Sequence, residues 1–282
     1  MNRQNVEQME DVIAYIEEHL VEKPDLKQVA EAVHYSKYHL HRMFTNTTGM
    51  TLHDYIQRRH LTEAAKLLVC SDKPVLEIAL MAGFESQQAF TDRFKAMYKQ
   101  PPGKYRERGS FYPLQLTFSL ERDLAALKER PEEISYASAK DIPDWMRFVS
   151  LVIDGFPGFR EGEHLERLWE HIGQREALIL RSGPVLIGAA ACTGERGSID
   201  FLGIHPQYRR TEAARLLLDF MLRNLPLKGE ISITTFREGD RADTGQRREY
   251  QRLGFAEAEL LTEFGYPTQR MVLQNYEWKG IL

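Results

Sequence analysis

Apolar positions fall three and four apart at Val6, Met9, Val12, Ile13 and Ile16, which predicts an amphipathic helix with one face toward a core. Pro24 and Asp25 supply a break and an N-cap. Leu26, Val29, Ala30 and Val33 then resume helical spacing until His34 and Tyr35 interrupt it. Ser36 caps a third segment, where Leu40, Met43 and Phe44 point one way and Lys37, Tyr38, His41 and Arg42 the other. Gly49 ends it. Thr51 opens a long helix through Tyr55, Ile56, Leu61, Ala64, Ala65, Leu67 and Leu68, which stops at Ser71, Asp72, Lys73 and Pro74. It reads as a rod joining the helices on its N-terminal side to those on its C-terminal side.

After the rod the pattern returns. Val75, Ile78, Ala79 and Ala82 form a short helix, Gly83 a turn and Ser86 a cap, and Phe90 and Phe94 face inward. Ser36, Leu40 and Phe44 align with Ser86, Phe90 and Phe94 at an offset of 50, so this is an internal repeat. The helical region closes near Pro101, Pro102 and Tyr105. From Ile134 the texture changes to apolar runs of strand length, at Ala177 to Leu180, Val185 to Ala191, Ile199 to Ile204 and Ile231 to Phe236, with helical stretches between them. The expected fold class is α plus α/β. An all-helical double helix-turn-helix domain spans 1–108, a bridge with a helix from Leu120 to Leu127 spans 109–133, and a mixed α/β domain spans 134–282.

A chain of 282 residues favours two domains, and its 43% hydrophobic and 28% charged content lets both halves fold. No apolar run approaches the roughly 18 to 20 residues of a membrane span, and the N-terminus has no basic stretch leading into an apolar one. A cytoplasmic protein without membrane partners is expected. Cys70 and Cys192 show no ligand spacing, so neither a disulfide nor a metal is expected. His34, His39, His41, His53 and His60 do not share one helical face, which favours hydrogen-bonding roles over a metal site or a pH sensor. A net charge of -4 argues against indiscriminate coating of nucleic acid. Charge is uneven, however: Arg93, Lys95, Lys99, Lys104, Arg106 and Arg108 outnumber Asp92 and Glu107 between Ser86 and Arg108.

A helix-turn-helix sets its second helix in the major groove, with outward side chains of the first turns reaching base edges. Lys37, Tyr38, His41 and Arg42 meet that specification in the first repeat, with Arg42 suited to a bidentate guanine contact. Gln87, Gln88, Thr91 and Asp92 occupy the corresponding face of the second, where Gln suits adenine and Thr a thymine methyl or a phosphate. Two units on one rod can read two adjacent major-groove segments without a dimer. If B-DNA does not present its grooves at that spacing it must bend, at roughly 1 to 6 kcal/mol.

The runs YSKYHLHRMF from Tyr35, DYIQRRHLTEAAKLL from Asp54 and GFESQQAF from Gly83 resemble the DNA-binding domain of the AraC/XylS regulators, in particular its MarA/SoxS/Rob-like branch, over residues 7–106. The chain departs from that branch at His34, where a turn Gly is usual, at Tyr38, where Trp is usual, and at Asp92, where Arg is common and Arg93 stands adjacent. The resemblance implies a bacterial regulator of transcription whose contacts include Lys37, Tyr38, His41, Arg42, Gln87, Gln88, Thr91 and Arg93. Its implied partners are double-stranded promoter DNA, RNA polymerase and a small-molecule or acyl-CoA effector.

In the second domain a strand ending at Ile204, a turn through His205 to Arg210 and a helix from Ala213 form an arrangement that binds anions, with Arg209 and Arg210 adding charge. The run GIHPQYRRTEAARLLL from Gly203 resembles motif A of the GNAT N-acetyltransferases, and EYQRLGF from Glu249 a later motif of the same family. That resemblance implies acetyl-CoA on Tyr208, Arg209, Arg210, Thr211, Ala213 and Ala214, with Tyr250 protonating the leaving thiolate. Glu212 replaces the central glycine of the family pattern, where its carboxylate can fill the anion site from within; it reads either as a helix-start acid on a retired or divergent enzyme fold or as part of a working site that tolerates it. Tyr250 reads first as a packed aromatic with its hydroxyl at the rim, and second as that catalytic acid. Glu170, His171 and Glu195 are candidates for a general base, and no single one is selected. Two functions are open: a regulator whose GNAT-like domain senses an effector, or a regulator that also transfers acetyl groups to an amine.

Overall fold

The computed structural model describes residues 3–120, 132–152, 159–209 and 211–274; the helix expected beyond Leu120, and Arg210, lie outside them. The chain forms two compact units, the first centred on the helical segment of Met1–Ala126 and the second on Leu127–Val152 with Arg160–Leu282.

The first unit begins with α1 (Arg3–Glu18), whose Val6, Met9, Val12, Ile13 and Ile16 are all buried. α2 (Leu26–Ala32) starts at Asp25, whose carboxylate accepts the Gln28 N–H while the Gln28 side chain accepts the Asp25 N–H, a reciprocal cap. α3 (Lys37–Thr48) is capped by Ser36 and ends at Gly49 in the left-handed conformation. α4 (Leu52–Cys70) is the rod: 19 residues, about 28 Å at 1.5 Å per residue. α5 (Val75–Met81), α6 (Gln87–Tyr98) and α7 (Pro102–Arg108) complete the repeat.

α4 serves two cores. Tyr55 toward its N-terminal end meets Phe44 of α3, with ring centroids 5.6 Å apart. Its second half packs Leu61, Ala64, Ala65 and Leu68 against Ile78, Phe90 and Phe94. The second core also holds an aromatic stack: Tyr98 lies 4.3 Å from Phe94 and 4.8 Å from Tyr105. Beyond Gly109 the chain does not leave this unit at once. Thr62 Oγ1 accepts the Leu114 and Gln115 amides at 3.0 and 3.1 Å, and the Phe118 ring stacks on Tyr55 at 5.2 Å. The first part of the expected bridge is thus packed structure, because Tyr112, Leu114 and Phe118 supply apolar surface that the helices alone leave open.

The second unit is a seven-stranded sheet in the order β1-β2-β3-β4-β5-β7-β6. Its strands are β1 (Glu132–Tyr136), β2 (Ala177–Ser182), β3 (Val185–Thr193), β4 (Ser198–Ile204), β5 (Ser232–Phe236), β6 (Phe255–Glu263) and β7 (Tyr266–Leu273). β1 to β4 run antiparallel to their neighbours, as do β5, β7 and β6, while β4 and β5 are parallel. That parallel pair registers only at Ser198 with Ser232 and Ile199 with Ile233. Past Ile199 the two strands part.

The helices are α8 (Ile142–Val152), α9 (Glu161–Gln174), α10 (Ala213–Asn224) and α11 (Gln246–Leu253). A Cβ on Gly203 would meet Val152 of α8, whereas one on Gly188 would meet Leu217 of α10. Gly188 pairs with Ile204, the next residue after Gly203, and neighbouring strand residues face opposite ways. α8 and α10 therefore cover opposite faces of the sheet, and α10 supplies the crossover between the parallel strands β4 and β5.

Candidate functional site

In the helical unit, burial of Leu40, Met43 and Phe44 fixes how α3 lies and turns Lys37, Tyr38, His41 and Arg42 outward, all of them exposed. Tyr38 is 91% exposed, so its ring forgoes the burial an aromatic side chain normally gains. On α6, Phe90, Phe94 and Met97 are inside, Gln87, Gln88 and Asp92 are exposed, and Thr91 is half-buried. The two expected reading faces are each brought together on the first turns of a capped helix.

Arg93 is placed differently. Its Nη2 donates to Gln57 Oε1 on α4, and the Gln57 amide donates to His53 Nε2 at 2.7 Å. Arg93 thus lies on the flank of α6 toward the rod, apart from Gln87 and Gln88. A second residue of the basic run is also structural: Arg106 Nε donates to the Leu68 carbonyl at 3.1 Å, satisfying a carbonyl near the C-terminus of α4. Sequence reasoning missed Gln57 and the Gln88–Asp92 hydrogen bond of 3.0 Å, since neither changes the apolar pattern.

In the second unit, the parting of β4 from β5 leaves the β5-facing edge of residues 200–204 without a strand partner among the described residues. Asp200 is skipped in the β3–β4 register, a bulge at the apex of this cleft. The chain then passes His205, turns through Pro206–Tyr208 and enters α10. Tyr208, Ala213 and Ala214 are buried and Arg209 is half-buried. Glu212 is exposed and its side chain caps nothing. The cap belongs to Thr211, whose Oγ1 accepts the Ala213 N–H at 3.2 Å and donates to the Tyr208 carbonyl at 2.8 Å. The carboxylate expected to fill the turn from within is turned out of it. Burial, and then the charge of Arg209, pushes His205 down to about 3, so it is neutral.

α11 lies beside this turn. Arg215 of α10 donates to the Arg252 and Leu253 carbonyls at 2.9 and 3.3 Å, tying the C-terminus of α11 to the first turn of α10. Tyr250 is buried with its ring 6.2 Å from Phe255. Burial, followed by the charges of Asp243 and Glu249, holds its phenol well above the ordinary value, so it keeps its proton.

Of the three base candidates, Glu170 is exposed, and Glu195 is exposed and pairs with Lys228 at 2.6 Å. His171 sits between two carboxylates: Nδ1 is 3.7 Å from Glu176 Oε2, and Nε2 is 3.6 Å from Asp200 Oδ2. Glu176 is buried, and its Oε1 accepts the Gly194 amide at 2.8 Å while Oε2 has no hydrogen-bond partner among the described residues. Asp200 accepts from Thr193 and Ser198 at 2.6 and 2.8 Å. Cys192 beside them is pushed up to about 12 by burial and then by Glu176 and Asp200, so it stays a thiol. His164, two turns earlier on the same face of α9, is pushed down to about 4 by burial and then by Arg167 and His171, and accepts the Trp145 indole N–H at 3.0 Å.

Two family profiles match the chain, one for a helix-turn-helix domain at residues 29–108 and one for an acetyltransferase (GNAT) domain at residues 153–274. Over 108 residues the chain is 42% identical to the multiple antibiotic resistance protein MarA of Escherichia coli (strain K12), a stretch covering 38% of this chain and 85% of MarA. The chain belongs to the AraC-type helix-turn-helix regulators.

This AraC-type regulator is also 42% identical over 98 residues to YbfP, an uncharacterized HTH-type transcriptional regulator of Bacillus subtilis (strain 168); the match covers 35% of this chain and spans only 33% of YbfP's length. A solved GNAT-family acetyltransferase structure from Bacillus cereus ATCC 10987 is 14% identical, covering 52% of this chain and 99% of that one at a TM-score of 0.42. Behind this AraC-type helix-turn-helix segment, residues 153–274 match the acetyltransferase (GNAT) domain profile. No helix among the described residues is long and apolar enough to cross a membrane, and no described group of His, Cys, Asp and Glu could hold a metal.

Proposed function

We propose that this chain, in a bacterial cytoplasm, reads two successive major-groove segments of promoter DNA and that its GNAT unit takes acetyl-CoA or another acyl-CoA as effector. The observation that supports the reading is the pair of outward faces, Lys37, Tyr38, His41 and Arg42 on α3 and Gln87, Gln88 and Thr91 on α6, each on the first turns of a capped helix and joined by α4. Arg93, held by Gln57, supports α6 from the side or reaches a phosphate. RNA polymerase is the downstream partner.

For the effector, the free edge of β4 offers hydrogen bonds to an extended amide-bearing arm. The turn through Tyr208, Arg209 and Thr211 uses its own amides in internal hydrogen bonds and leads into α10, whose positive N-terminal end at Ala213 and Ala214, with the charge of Arg209 and of Arg210 beside it in sequence, favours a pyrophosphate. The test is anisotropy of the full chain on labelled duplexes from its own upstream region, with and without acetyl-CoA. Specific binding that shifts with the ligand is expected. Equal affinity for a scrambled duplex at moderate salt would remove the DNA reading, and unchanged DNA affinity despite acetyl-CoA binding would remove the effector role.

A second reading, acetyl transfer to an amine, is favoured by His171 between Glu176 and Asp200 beside the parting of β4 and β5. Acetyl-CoA would supply the activated acyl group. His171 would take the proton the amine loses as the new amide bond forms, and the Tyr250 hydroxyl would give a proton to the departing thiolate. Turnover over a panel of amines that disappears in His171→Asn, with acetyl-CoA still bound, is the expected result; absence of turnover with every amine leaves the sensor alone.

A further inference from the structure

The two reading helices carry opposite charge at equivalent places. At the offset of 50 that aligns the repeats, Lys37 corresponds to Gln87, Tyr38 to Gln88, His41 to Thr91 and Arg42 to Asp92. Ser36 and Ser86 cap their helices in the same way, each accepting the amide three residues on, so residues 42 and 92 stand at the same height and on the same face of α3 and α6. Both are exposed.

A guanidinium there donates to guanine O6 and N7; a carboxylate only accepts, and the base edge that answers it in the major groove is the cytosine N4 amine. Asp92 forms no ion pair among the described residues, and the neighbouring Arg93 is turned to Gln57, so its charge remains available to a partner. Gln88 Nε2 donates to Asp92 Oδ1 at 3.0 Å. That bond uses one amide hydrogen and leaves Gln88 with its carbonyl and a second N–H, the pair that matches adenine N6 and N7.

We propose that Asp92 is a specificity-determining residue, selecting cytosine in the second DNA segment and orienting Gln88 onto an adjacent adenine, whereas Arg42 selects guanine in the first. This rests on the reading of the chain as a sequence-specific DNA binder. The carboxylate also explains why the second face can be selective without being sticky: it repels phosphates and binds well only where a base amine offsets that repulsion.

The experiment is selection of bound duplexes from a random double-stranded library with the full chain, repeated with Asp92→Ala and Asp92→Asn. The natural chain is expected to enrich two segments, one with a guanine set by Arg42 and one with a cytosine beside an adenine. Asp92→Ala should lose that cytosine preference by about tenfold or more while holding random DNA as tightly or more tightly, a gain that a misfolded variant cannot show. Asp92→Asn, which both accepts and donates, should move the preference from cytosine to adenine. A library with no enriched sequence overturns the DNA reading and this proposal together. Two enriched segments in which no base depends on residue 92 overturn the proposal alone.

Discussion

Arg59 of α4 grips Glu17 of α1 with two nitrogens, Nη2 at 2.8 Å from Oε2 and Nε at 2.9 Å from Oε1. The Tyr55 hydroxyl donates to the same carboxylate at 2.7 Å, and Arg59 Nη1 reaches Glu63 and the Gln115 carbonyl. One guanidinium thereby joins α1, the rod and the segment after α7. Burial raises the Glu17 carboxyl, but the hydrogen bonds from Arg59 and Tyr55 outweigh it and hold it below the usual carboxylate range. A depressed carboxyl contributes stability that is present above its unfolded value, about 4.3, and lost as pH falls through the folded one. Glu17→Gln is expected to cost about 2 kcal/mol near neutrality and to flatten the acid limb of urea-unfolding stability against pH. An unchanged acid limb would show that the pair contributes no pH-dependent stability.

His60 gives a second and separate pH effect. Its imidazole is pushed down to about 4 by burial, then by Lys23 and Arg59, and its Nε2 is buried without a partner among the described residues. A histidine whose folded value is lowered binds its proton more readily when unfolded. Stability is therefore full above the unfolded value, about 6.5, and declines as pH falls toward 4. The midpoint of helical unfolding should drop between these values in the natural chain and drop less in His60→Gln, followed by circular dichroism.

His34 and Gly83 occupy the same turn of the two repeats, at φ 57 and 83. The left-handed region suits glycine, while a side chain there costs roughly 1 kcal/mol. His34→Gly is expected to raise stability by about 0.5 kcal/mol, since part of the relief is offset by the greater freedom of glycine when unfolded. Gly83→Ala should lower stability, and a Cβ at that position also meets the Lys23 side chain. Thermal midpoints of the two variants, moving in opposite directions, are the check.

What was legible in the sequence was whatever repeats or alternates. The buried sets of α1, α3 and α6, the caps Asp25, Ser36, Thr51 and Ser86, and the opposed faces of the reading helices all come from spacing within one element. Contacts between distant elements were not legible. His171, Glu176 and Asp200 meet because a β4 bulge carries Asp200 toward α9, and no periodicity announces a bulge. Arg93 stands where a reading residue was expected, but Gln57, 36 positions away, holds it. Leu114 and Phe118 looked like a bridge because extended packing onto a helical core has no period of its own.

Arg42 is the contact whose loss has the clearest expected size. Exposed on α3 opposite the buried Leu40 and Phe44, it is free to reach a guanine from the first segment. Arg42→Ala should cost about 1 to 3 kcal/mol on a selected site and relax preference at one base pair. Random duplexes should lose far less. Equal losses on selected and random DNA would make Arg42 a phosphate contact instead.

Thr211, rather than Glu212, orders the turn before α10. Had the Glu212 carboxylate capped the helix, an incoming anion would have to displace it, and Glu212→Gly would switch binding on. The cap is Thr211 and Glu212 points to solvent, so its remaining effect is repulsion at a distance, about 1 kcal/mol for like charges 4 Å apart in water and smaller with salt. Calorimetric titration of the full chain with acetyl-CoA should therefore show binding by the natural sequence. Glu212→Gly should tighten it by about fivefold or less, with the gain shrinking as salt rises. Thr211→Val, which removes the hydroxyl that orders the turn, should weaken binding more than any change at Glu212 strengthens it. Binding seen only in Glu212→Gly would mean that the carboxylate swings into the turn in solution and that the second unit senses something other than an acyl-CoA.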